Sequence, residues 1–403
     1  MLTLALRNLF RHRVRTAVTL AAIVFGVVGL ILSGGFVQDI FNKLGEALIH
    51  SQTGHLQVSR TGFQNQGTRK PEQYRISNPA RLKAQIETLP QVDSAMARVE
   101  FSGLLNNGHT DWAIEGEGIE PAPEARLGTF LSLVAGRQLQ KSDSNGALVG
   151  AGVARALHLA PGDPVTLVVT TADGAANTID LEVTGIFQTF SKDYDARIVK
   201  IPLHAAQEVL DSQAVNVIVV SLKHTSDTAQ VAQTLNSKLA GQGLEVATWQ
   251  TLNEFYGKTV TLYDRQFGVL RLVVLAMVLL SVANSVNMSL FERTAEFGTM
   301  RALGNRSRTV FLLIATETLL LGLIGAAIGV ILGVILALGI SAIGIPMPPP
   351  PNADVGYIAQ IDLKAWPVTE AFLVGTIAAM VAGIGAAVRS SRVKIVDALR
   401  EAI

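Results

Sequence analysis

The sequence has no cysteine among its 403 residues. No disulfide framework and no thiolate metal site is available to it, and redox chemistry says nothing of its compartment. Charged residues make up only 16%, and 33 Lys and Arg against 32 Asp and Glu leave a net charge of +1. That balance offers no general attraction to nucleic acid. The phosphate cradle GxxxxGK[ST] is missing, so no nucleotide is expected to bind in that way. Gly150-Ala151-Gly152 lacks the third glycine of a dinucleotide fingerprint and reads as a tight strand–helix turn. The seven histidines show neither HxxxH nor HExxH spacing and read as surface or locally satisfied residues. Asp193 and Asp195 read as solvated residues of a polar turn. The chain is therefore expected to be no enzyme, with no catalytic residue, no metal site and no cofactor of its own.

What the sequence has instead is apolar length. Hydrophobic residues reach 49%, aromatics only 6%, and the mean hydropathy is +0.37. That is too apolar for an ordinary soluble protein and too polar for one lying wholly in a membrane. Four runs have the roughly 20 residues a helix needs to cross hydrocarbon. They predict spans at 16–39, 266–290, 310–343 and 368–388. The first has a basic flank but no convincing cleavage site, so it reads as a span and not as a signal peptide. Arg7, Arg11, Arg13 and Arg15 in segment 1–15, the connector 291–309, and Arg389, Arg392, Lys394 and Arg400 in tail 389–403 are basic. The Pro-rich loop 344–367 holds only Lys364 as a cation. Short basic segments stay on the cytoplasmic side, so both termini and the connector are expected inside. The loop and the long insertion 40–265 are then outside.

The insertion reads as α+β. Residues 77–101 and 225–249 each give a helix followed by a strand, with Asn78 capping the first helix and Pro79 opening it. Residues 198–223 give strand, helix and β-branched strand. Between them, 146–188 gives a strand, a short helix and a hairpin turning at Asp173-Gly174. A small subdomain is expected over 125–200, and a helix from Leu252 running into the second span.

The connector FERTAEFGTMRALG, residues 291–304, carries a longer pattern. It resembles the MacB/FtsX-like, or type VII, permease family of ABC transporters, in which ERxxE[FIL]Gx[LM]RALG joins the second and third spans. Glu292, Arg293, Glu296, Gly298, Arg301, Leu303, Gly304 and the later Glu317 fall in register with it. LALRNLFRHRVRT (4–16) and SSRVKIVDALREA (390–402) are similar to that family's two cytoplasmic ends. The resemblance implies a membrane protein with four transmembrane helices and a large α+β extracytoplasmic domain inserted between helices 1 and 2. It implies that Glu292–Gly304 forms a coupling helix for a separate ABC ATPase, which would hold ATP and magnesium. It also implies a second permease copy or a paralogue, a bacterial inner membrane, and mechanical transmission to the outer domain. An amphipathic cargo follows, lipoproteins first, with a periplasmic carrier or adaptor as further partner. The short polar turn TTADGAANT (170–178) departs from the long hairpin of lipoprotein-release permeases. Peptide or drug efflux, or activation of a cell-wall hydrolase without transport, are the other readings.

Within the spans, Gly325, Gly329 and Gly333, with Gly322 nearby, share one helix face. Small-xxx-small spacing lets backbones approach, either within the chain or across a dimer. Asn284 and Asn287 of span two would hydrogen-bond neighbouring helices or line a polar path. Glu317 is an ionisable residue inside span three, functional or paired with Arg301 or Arg306.

Overall fold

The computed structural model describes residues 13–67, 71–76, 78–349 and 356–391. Segment 1–12, most of the tail 389–403, and Pro350 and Pro351 of the tetraproline lie outside them. Helix α1 (Arg13–Leu48) ends in a π-helical turn, Ile49–Thr53, before strand β1 (Leu56–Arg60). Then follow α2 (Pro79–Glu87), β2 (Val92–Asn106), β3 (Asp111–Ile119), α3 (Pro121–Leu127) and β4 (Ser132–Gly136). Next are β5 (Gly146–Gly150), α4 (Ala151–Leu157), β6 (Pro164–Thr170), β7 (Ala176–Gln188) and β8 (Ile198–Pro202). The outer part closes with α5 (Leu203–Val209), β9 (Val217–Leu222), α6 (Thr228–Lys238) and β10 (Leu244–Thr248). The membrane part resumes with α7 (Glu254–Glu292), α8 (Thr294–Ala302), α9 (Ser307–Ile343) and α10 (Ala365–Ser391).

The chain divides into two compact units. The helical one holds α1 to Phe41, Val260–Pro346 and the chain from Ile358. Among the described residues, four helices are long and apolar enough to cross a membrane. The glycine stripe of α9 sets their packing. A Cβ on Gly325 would lie 3.0 Å from Ile23, one on Gly329 2.8 Å from Val27, and one on Gly333 2.9 Å from Ile31. A Cβ on Gly322 would lie 2.8 Å from Ala379 of α10. Gly325, Gly329 and Gly333 thus seat α1, and Gly322 seats α10, all inside one chain. At the outer end of α1, buried Asp39 accepts the Gln360 N–H at 2.8 Å and Gly35 C=O accepts the Asp362 N–H at 3.0 Å.

The second unit, residues 42–259 with Met347–Tyr357, is built on one sheet. Its order is β10-β1-β9-β2-β3-β8-β5-β7-β4, with β6 joining β2 and β7. All pairs are antiparallel except β3–β8 and β5–β7. Strands β5, β8 and β9 are buried at every residue, which demands the continuous apolar runs GALVG and VIVVSL. Helices follow their sequence signals: Asn78 accepts the Arg81 N–H as the cap of α2, and Gly174 turns the β6–β7 hairpin at φ +82°. The Gly150 and Gly152 turn is a close approach, since a Cβ on Gly152 would lie 2.5 Å from Ala196.

The stretch expected as a small subdomain, 125–200, shares its core with the rest of this unit, and two other expectations need correction. β2 is 15 residues long and pairs β9 in its first half and β3 and β6 in its second, so one apolar core runs through both parts. Asp195 is not solvated. It is 2% exposed and accepts from Thr189 N–H at 3.0 Å and Thr189 Oγ1 at 2.8 Å, fixing a helical turn at Lys192–Asp195. The helix expected from Leu252 starts at Glu254. Asn253, at φ −113° and ψ 72°, ends the short helix Trp249–Leu252 and separates the two. Within this unit Trp249 packs on the face of Gly45, where a Cβ would lie 2.7 Å from the indole, and its ring meets Tyr256 at 4.7 Å.

Candidate coupling site

The connector is a short helix, α8, with a left-handed stop at Gly304, φ +96°. Only glycine takes that backbone angle without strain. Glu292 is the last residue of α7, and Arg293 is the N-cap residue of α8. The Arg293 guanidinium is buried, donates Nη1–H to Glu317 at 2.8 Å and Nε–H to Glu296 at 3.1 Å, and lies 5.0 Å from the Phe297 ring centre. Among the described residues, the ion pair of Glu317 is with Arg293, where the sequence suggested Arg301 or Arg306. Those two come from the far end of α8 and the turn after it, whereas Arg293 stands where α8 begins. Gly298 is buried, Arg301 lies in the last turn, and Leu303 is 81% exposed just past it. Phe291 at the other end is 77% exposed. The site is thus a buried ionic anchor at one end of α8 and apolar side chains standing free of the fold at both.

Of the two roles expected for the asparagines, hydrogen bonding to neighbouring helices is not the one seen among the described residues. Between the first two spans the side-chain hydrogen bond is Thr19 with Ser285. Asn284 is exposed and Asn287 half-buried, and no side-chain hydrogen bond joins either to another helix among the described residues. One position along the helix turns a side chain by about 100°, so Ser285 faces α1 and Asn284 does not.

A second charged cluster, in the outer unit, went unread in the sequence because its members lie far apart in the chain. Arg98 of β2, Glu117 of β3, Glu124 of α3 and Lys200 of β8 are all buried. Glu124 accepts from Arg98 and Lys200, each at 2.8 Å. Lys200 lies 3.3 Å from Glu117, which accepts the Tyr194 hydroxyl at 2.8 Å. Arg98 also donates to Gln52 C=O of the π-turn at 2.7 Å. Burial pushes the Glu124 carboxyl up, but the two cations outweigh it and hold the group at about 2. Glu100 sits opposite Glu117 in the strand register, and burial together with that carboxylate pushes it up to about 7. The only sequence signal was Lys200 in the otherwise apolar strand β8. Among the described residues no group of histidines and acids is placed to hold a metal.

An apolar edge completes the outer unit. Strand β4 ends the sheet path, and Phe130, Leu133 and Val134 are 47%, 41% and 57% exposed. No charge lies between Arg126 and Arg137.

The model for a MacB-like periplasmic core domain matches residues 16–238, and that for the FtsX-like permease C-terminal region matches 268–395. The lipoprotein-releasing system transmembrane protein LolE of Haemophilus influenzae is 22% identical over 325 residues, covering 78% of this chain and 74% of its own. The macrolide export ATP-binding/permease protein MacB of Brucella abortus is 26% identical over 353 residues, and this chain spans about half of its length. The crystal structure of the periplasmic region of MacB from Actinobacillus actinomycetemcomitans aligns with a TM-score of 0.37 at 15% identity, over 51% of this chain and 94% of that one. With more than half of its length matched by the first model and its membrane part by the second, the chain belongs to the MacB-like periplasmic core domain family and is an ABC-transporter permease of the MacB/FtsX type.

Proposed function

We propose that this permease carries no ATPase of its own and couples a separate ABC ATPase, which binds ATP and magnesium, to movement of its outer domain. The observation that carries this reading is the connector. α8 is anchored by Arg293 to Glu317 and Glu296, and it leaves Leu303 and Phe291 exposed. A partner that seats on α8 would then move α9 through a buried ion pair, whose rupture would leave an uncompensated buried charge. In this reading the connector and both termini face the cytoplasm of a bacterial inner membrane. A second permease copy, or a paralogue, completes the transporter.

The cargo we propose is an amphipathic molecule of the outer leaflet or the periplasm, with lipoprotein as the leading class. The uncharged edge Phe130–Val134 supports it, because apolar surface on an edge strand is normally suppressed unless something binds there. The experiment is Glu296→Lys in the full chain. It puts a cation beside Arg293 and should abolish co-purification of the ATPase or uncouple hydrolysis from transport. Unchanged co-purification and unchanged ATP-dependent transport together would refute the assignment.

A further inference from the structure

The end of α1 enters the outer domain through four polar side chains whose hydrogen-bond roles are fixed by their partners. His50 Nδ1 lies 3.0 Å from the Leu127 carbonyl oxygen, and its Nε2 lies 3.2 Å from the Glu46 carboxylate. A carbonyl and a carboxylate only accept, so both ring nitrogens of His50 must carry protons to satisfy them. His55, whose ring centre is 5.6 Å from that of His50, is bound the opposite way. Its Nδ1 accepts the Leu222 N–H at 3.1 Å, so that nitrogen holds no proton. Its Nε2 lies 3.2 Å from Thr225 Oγ1, which gives its own proton to Glu46 at 2.7 Å, so Nε2 is the donor. One histidine is thus built as a cation and its neighbour as a neutral ring.

We propose that His50 is a proton-held latch between the outer end of the first helix and the α3–β4 segment. With its proton it bridges Glu46 to Leu127 C=O. Without it, one acceptor is left bare and the bridge opens. The joint it closes is the π-turn Ile49–Thr53, an uncommon backbone that surrounding ties must maintain. Other ties include Arg98 to Gln52 C=O, Ser51 Oγ to Ala47 C=O at 2.6 Å, Gln57 Nε2 to Thr53 C=O at 3.2 Å, and Gly54 N–H to Ile49 C=O at 3.0 Å. Of the charged and titratable groups facing His50, Glu46 lies on the same helix and His55 at the start of β1. Asp93 of β2 acts on the cluster through His55. The α3–β4 segment faces it with the Leu127 carbonyl and the Phe130 ring, stacked at 6.0 Å. An ordinary imidazole gives up its second proton near neutrality, so an outward-facing histidine of this kind answers the pH of the surroundings.

The test uses the full chain in lipid nanodiscs with ring-labelled histidine, read by nitrogen chemical shifts. At pH 6 and pH 7 His50 should show two protonated nitrogens and His55 a single proton on Nε2. A singly protonated His50 at pH 6 would overturn the proposal. Amide exchange over 127–131, corrected for its chemical pH dependence, should be several-fold faster at pH 9 than at pH 7. His50→Gln, with no proton to lose, should abolish that difference. Equal protection at both pH values in the native chain, or a persisting difference in the variant, would also overturn it. The ring shifts of the native chain decide the matter if the variant fails to fold.

Discussion

Arg293 and Glu317 are the residue pair on which the connector hangs. Removing one member of a buried ion pair leaves the other uncompensated, at a cost of about 3–5 kcal/mol. Arg293→Ala is therefore expected to lower the unfolding temperature of the full chain markedly. Adding Glu317→Ala should recover most of that loss, and a double-mutant cycle of unfolding midpoints measures the coupling. A pH profile tests the outer cluster. Glu100 is raised from 4.5 to about 7, so the folded protein holds a proton that the unfolded chain lacks in that window. Its contribution is present at low pH and is lost as pH rises through about 7. His55 is lowered from 6.5 to about 4, chiefly by burial, so its contribution is present above 6.5 and lost as pH falls toward 4. Between 6.5 and 4.5 the two slopes oppose each other, and the native chain should show nearly flat stability. Glu100→Gln removes one slope, so its unfolding midpoint should decline from pH 6.5 downward. Glu124, held at about 2, adds loss only below 4.5. The connector residues were legible because their spacing is contiguous. The partner of Glu317 was not, since three arginines lay within plausible reach and only the turn between α7 and α8 selects Arg293.

Among the elements, α7 bears the sharpest consequence. It is a single helix from Glu254 to Glu292, and it passes through Gly257 and Thr261 without a break. Proline at 261 removes a backbone donor and clashes one turn back, costing about 3 kcal/mol or more and bending the helix. Thr261→Pro should leave ATPase binding and basal hydrolysis intact while abolishing transport, read as cargo release per ATP consumed. Full transport would favour a path between the spans that needs no stiff α7. Helices and spans were readable here because apolar length and caps are local signals: Asn78 and Pro79 marked α2, and Gly304 marked the end of α8. The start of α7 was missed by two residues because Asn253 breaks the helix through its backbone angles, and nothing in its neighbours' polarity announces that. The π-turn was invisible for the same reason, as its extra residue leaves the hydrophobic pattern intact.

At the scale of the whole molecule, the order of spans and insertion was legible, and the joining of the sheet was not. Pairings such as Glu115 with Ile198 or Val58 with Ile218 are set by tertiary packing between segments far apart in the chain. Orientation has a direct test, aided by the lack of native cysteine. Cysteine at Asn177 should react with an impermeant thiol reagent applied from outside, and cysteine at Asn305 should not. The reverse pattern would invert the reading of every loop. The contact of Trp249 with Gly45 and Tyr256 bears on what the outer domain is able to sense. It fastens the root of the chain's return toward the membrane onto the end of its outward path, as two ropes are tied to one cleat. Pulling either rope loads both. In the proposed coupling, a displacement common to the pair would reach the sheet, and a difference between them would be spent at the knot.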